Sequence, residues 1–109
     1  MSLLTQALEK QYFSLRESLP DLAAKGATEE QLNTLRNAIA RSRDNYNAAL
    51  NGSLQDNDPE IAALTTQMNN IQVALDQEIK ELGDMAKVIG VIAKAVDVGS
   101  QVAAKVVAL

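Results

Sequence analysis

The sequence predicts an all-α protein: an antiparallel helical bundle of four helices if the chain breaks near Gly83, or of three if it runs on as one long C-terminal helix. Two observations carry this. Apolar residues recur at steps of three and four along nearly all of the 109 residues, the spacing that lines one face of an α-helix. Turn and capping residues gather at a few points only, with residues 51 to 58 as the one real loop. The expected helices are about 2–18, 28–50, 59–82 and 85–108, in a single domain spanning 1–109.

The first helix is carried by Leu4, Leu8, Tyr12, Leu15 and Leu19. Pro20 is expected to break it, since proline lacks the N–H that a helix interior needs. Residues 21 to 25 can add one turn before Gly26, a residue suited to the left-handed position past a helix end. The second helix opens with Thr28-Glu29-Glu30-Gln31, the spacing of a capping box, in which the Thr28 hydroxyl and the Gln31 amide each take a backbone N–H. Its seam reads Leu32, Leu35, Ile39, Ser42, Tyr46 and Ala49, until Asn51-Gly52 ends it.

Asp58-Pro59 gives the third helix an N-cap followed by proline at the first helical position. Ile61, Leu64, Met68, Ile71, Leu75, Ile79 and Leu82 form its seam, with uncharged polar residues between them, among them Gln67, Asn69 and Asn70. Gly83-Asp84 reads as a C-terminal glycine followed by an N-cap, or as a weak point within a longer helix. The final segment presents two seams. One is mostly bulky: Met85, Ile89, Ile92, Val96, Gly99, Ala103 and Val106. The other is small except at Asp97: Ala86, Gly90, Ala93, Ser100, Ala104 and Ala108. Small residues let two backbones approach closely, so the bulky seam is expected to fill a core and the small one to receive a second helix.

Composition excludes more than it identifies. The chain has no cysteine, histidine or tryptophan, which removes disulfides, thiol catalysis, zinc-thiolate sites and the commonest general base. The net charge of −4 argues against nucleic-acid binding. Charge is unevenly spread: residues 58–84 carry six acids against one base, and residues 85–109 three bases against one acid. Asp76, Glu78, Glu81 and Asp84 could resemble a cation site, but the histidine of the helical-bundle di-metal motif is missing. Crowded carboxylates on a solvated face explain them, so neither metal nor cofactor is expected. Tyr12 and Tyr46 sit at seam positions and are read as packing residues with their hydroxyls at the edge. No phosphate loop, nucleophile elbow or calcium loop is present. An enzyme is not expected.

The start of the chain has no basic region followed by an apolar core, and Lys87, Lys94, Asp97 and Lys105 interrupt the apolar tail. A cytoplasmic setting is expected, without a membrane span. The leading functional expectation is a structural or interaction protein that self-associates or binds a protein partner through its C-terminal helix. The residues expected to carry this are Ala86, Ile89, Gly90, Ile92, Ala93, Val96, Ser100, Ala103, Ala104 and Val107. One alternative is a membrane-active protein that lays or inserts this helix on a bilayer, with Lys87, Lys94 and Lys105 along its edge. Another is a small acidic binding partner, such as an immunity protein or secretion chaperone, that uses residues 58–84.

Overall fold

The computed structural model describes residues 1–108, which form four α-helices: α1 (Leu3–Ala24), α2 (Glu29–Leu50), α3 (Pro59–Glu81) and α4 (Met85–Ala108). They pack together as a four-helix bundle about 42 Å long and 21 by 18 Å across. At about 1.5 Å per residue each helix runs most of that length.

Local chemistry sets the boundaries. Ser2 caps α1 by accepting the Thr5 N–H. The capping box at α2 is complete: Thr28 Oγ1 accepts from the Gln31 N–H at 3.1 Å, and the Gln31 side chain accepts from the Thr28 N–H at 2.9 Å. Asp58 caps α3 ahead of Pro59, and Asp84 Oδ1 accepts from the Ala86 N–H at 3.0 Å at the start of α4. Gly26 takes the left-handed conformation expected after α1, at φ 97°.

Two local expectations are corrected. Pro20 does not break α1, which continues to Ala24. The missing hydrogen bond falls on an exposed side of the helix, where Arg16 and Pro20 both meet solvent, while Leu22 is fully buried and holds the last turn against the core. The chain does turn between α3 and α4, but the left-handed residue there is Leu82, at φ 44°, and not Gly83. Leu82 packs at the edge of the core; Gly83 is exposed, with nothing within 4 Å of where a Cβ would stand. Apolar burial selects which residue makes the turn, against the usual preference for glycine.

The helices alternate in direction, but not in simple order around the bundle. α1 packs against α2 and α3, α4 packs against the same two, and α2 and α3 stand apart across a diagonal. The connection 51–58 therefore crosses the end of the bundle. Leu3 N–H donates to Asp56 Oδ1 at 2.8 Å across that end, and Gly52 lies beside Val106. The start of α1, the connection and the last turn of α4 thus share one end. The two antiparallel hairpins, α1–α2 and α3–α4, are stacked with helices of like direction facing each other.

Two apolar clusters fill the interior. One joins Leu15, Leu22, Leu35, Leu75, Val88, Ile92 and Val96 at the end with the short turns. The other joins Leu4, Leu8, Ile61, Leu64, Met68, Val102 and Val106 at the end with the diagonal connection.

Candidate interaction surface

α4 lies between α2 and α3, and this position decides which of its residues are free. Ile89, Ile92, Val96 and Ala103 are buried inside the chain's own core. A partner reaches them only if the bundle opens. Ala86, Gly90, Ala104 and Val107 are exposed, and Ala93 and Ser100 are half-buried. The expected interaction residues therefore divide: the bulky seam packs within the fold, and the small seam is turned outward.

The small seam is partly claimed by α2. Arg41 Nη2 donates to Asp97 Oδ1 at 2.7 Å and to Ser100 Oγ at 3.1 Å, and Asn45 Nδ2 donates to Ser100 Oγ at 3.2 Å. The Arg41–Asp97 pair is about half exposed, so it fixes direction more than it adds stability. On either side of it the strip is smooth. At Gly90 nothing lies within 4 Å of where a Cβ would stand. A glycine inside a helix costs about 0.5–1 kcal/mol relative to alanine, and among the described residues nothing uses the space it leaves.

The outward side of α3 is different again. No charged residue occurs between Glu60 and Asp76. Ala62, Ala63, Thr66, Gln67, Asn69, Asn70, Val73 and Ala74 are all exposed there, with Val73 68% accessible. Thr66 Oγ1 donates back to the Ala62 carbonyl at 3.1 Å, which ties up its hydroxyl. Depletion of charge around small and apolar residues is a compositional mark of interface cores.

The carboxylates do not converge on one point. Asp76 accepts from Ser14 and Gln72, Glu78 pairs with Lys87 at 3.4 Å, Glu81 accepts from Gln77 and Asp84 caps α4. Among the described residues no group of three or more acidic side chains is arranged to hold a metal ion. Among the described residues, too, no helix is long and apolar enough to cross a membrane.

Two groupings escaped the sequence reading. The first is aromatic: all three aromatic residues of the chain meet on the α1–α2 face. Tyr12 stacks on Tyr46 at 6.5 Å and lies 5.2 Å from Phe13, and Arg16 stands over Phe13 at 5.8 Å. Tyr46 Oη donates to Glu9 Oε2 at 2.6 Å. That hydrogen bond, then burial, then the negative charge of Glu9 raise the Tyr46 pKa above its ordinary value.

The second is a buried polar layer. Gln11 and Ser42 are fully buried, and Asn45 and Gln72 nearly so. Gln11 Nε2 donates to the Ala95 carbonyl at 3.0 Å, and its Oε1 has no partner among the described residues. Gln72 Nε2 donates to Asp76 at 2.8 Å, and its Oε1 is likewise unpaired. A signal existed: Gln11 lies three residues after Leu8 and four before Leu15, and Gln72 four after Met68 and three before Leu75. Both amides occupy seam positions.

Comparison with protein-family models, curated proteins and solved structures returns no match.

Proposed function

We propose that this protein is a non-enzymatic interaction protein that works by association, through the outward face of α4, with a second copy of itself or with a protein partner. The observation that supports this most directly is Gly90. It sits inside α4 between Ala86 and Ala93, carries the helix penalty of glycine, and has open space where a side chain would be. Such a face accepts a helix at close range. The proposal keeps the cytoplasmic setting expected from the sequence.

The test is the solution mass of the full chain by light scattering, beside Gly90→Leu, Ala93→Leu and Ala104→Leu. Gly90 and Ala104 are exposed and Ala93 half-buried, so the bundle is expected to tolerate each change. A discrete oligomer that dissociates in these variants supports the proposal; an unchanged assembly in all three refutes it for self-association.

The charge-free side of α3 favours a second reading, in which that helix is the contact surface. The same measurement on Val73→Glu separates the two. Dissociation by Val73→Glu alone moves the interface to α3. The lipid alternative has less support, because Val88, Ile92 and Val96 are fully buried and the closed bundle offers a bilayer little of the apolar side of α4. Absence of binding to anionic vesicles at low salt removes that alternative.

A further inference from the structure

The two apolar clusters meet across polar ground. Gln11 from α1, Ser42 and Asn45 from α2, Gln72 from α3 and Gly99 from α4 fall between them along the chain, and all five are buried. Ile71 is the residue that packs against both clusters. We infer that this layer divides the bundle into two separately opening halves, and that the half at the diagonal connection opens first, releasing the C-terminal end of α4 while the other half stays folded.

Three physical arguments meet here. Apolar contact is what makes a bundle unfold as one unit, and a polar layer interrupts it. Two amide oxygens in the layer have no donor among the described residues. A buried acceptor left unpaired biases the equilibrium, by roughly tenfold, toward a state in which water reaches it. Opening at the layer is thus easier than opening through either cluster. Finally, α4 crosses the layer at Gly99, the residue of least helix propensity short of proline, so the layer cuts the helix at one of its two points of low propensity, the other being Gly90.

The asymmetry comes from the ends. The half with Leu15, Leu75 and Ile92 is closed by two short turns with a complete capping box. The other half is closed by the connection 51–58 and leaves Met1, Leu3, Leu50 and Val107 exposed. Apolar side chains that stay exposed contribute little to closure, so this half has less to hold it shut.

Native-state hydrogen exchange on the full chain, read residue by residue in increasing mild denaturant, tests this. Leu8, Met68 and Val102 are expected to share one opening reaction, and Leu15, Leu75 and Ile92 a second with protection at least about tenfold greater and a steeper denaturant dependence. One common opening for all six overturns the inference. So does early exchange of Val102 alone, which is fraying of α4 and not the opening of a half.

Gln11→Leu then tests the cause. Removing the unpaired oxygen and joining the clusters should slow exchange at Leu8, Met68 and Val102 by about tenfold and bring the two reactions together. If Gln11→Leu does not fold, Gln72→Leu is read the same way. A gap that persists in the folded variant overturns the role given to the layer.

Discussion

The side-chain oxygen of Gln11 occupies the space where a side chain on Gly99 would begin: an ideal Cβ on Gly99 would stand 2.7 Å from Gln11 Oε1 and 3.3 Å from Asn45 Nδ2. Gly99 is therefore a packing requirement, set by a glutamine on another helix. Gln11 cannot swing aside freely, because its Nε2 is held by the Ala95 carbonyl in a fully buried slot. Gly99→Ala is expected to destabilise the fold by about 1–2 kcal/mol despite the better helix propensity of alanine. In a Gln11→Ala background the same change should be neutral or stabilising, because the obstructing group is gone. Urea unfolding of the four proteins measures the coupling. Equal effects of Gly99→Ala in both backgrounds would show that the contact is not the cause.

Gly90 provides the opposite case on the same helix. Nothing lies within 4 Å of its missing Cβ, so Gly90→Ala should raise stability by about 0.5–1 kcal/mol. The measurement is a urea midpoint at low protein concentration, where association does not contribute. A loss of stability would mean that the space beside Gly90 is not open in solution.

How much of this was legible in the sequence depends on what each residue answers to. Thr28, Asp58 and Asp84 act on backbone groups two or three residues away, so their caps could be read directly. The seam of α3 was legible for the same reason, since Ile61, Leu64, Met68 and Leu75 follow the period of the helix. What failed was tertiary. The period sets Ile39 and Tyr46 on the core seam of α2, yet Ala38 and Asn45 are buried and those two only half so. The packed face of α2 is wider than its seam, because α2 touches α1 on one side and α4 on the other. The two seams of the C-terminal helix, by contrast, follow from its period, and the bulky one is buried while most of the small one is exposed. What the period does not show is that α2 covers part of the small seam, where Arg41 and Asn45 reach Asp97 and Ser100.

Pro20 lies inside α1 against its own preference. It lacks the N–H that would bond the Arg16 carbonyl, and its ring crowds that carbonyl. Interior proline costs about 3 kcal/mol relative to alanine, reduced near a helix end and by the roughly 0.4–1 kcal/mol that proline gains from restricting the unfolded chain. Pro20 is exposed, so little packing is lost on replacement. Pro20→Ala is expected to stabilise the protein by about 1–2 kcal/mol in urea unfolding. An unchanged or lower stability would show that burial of Leu22 has already removed the strain.

Tyr46 links the aromatic cluster to pH. Its neutral phenol donates to the Glu9 carboxylate at 2.6 Å, and an ionised phenolate would face that carboxylate at close range. The folded-state pKa is accordingly raised above the ordinary 10.0, with the hydrogen bond as the largest cause. Above the unfolded pKa the unfolded chain has released a proton that the folded protein still holds, so stability falls as pH rises. The contribution is complete below about pH 10 and is lost as pH passes through the raised folded value. Glu9→Ala removes both the acceptor and the charge. It should bring the Tyr46 titration, followed by NMR of the labelled ring in a Tyr12→Phe background, back toward its ordinary value, and the alkaline loss of stability should shrink with it. A Tyr46 that titrates at the same pH with and without the Glu9 carboxylate would place the cause elsewhere in the cluster.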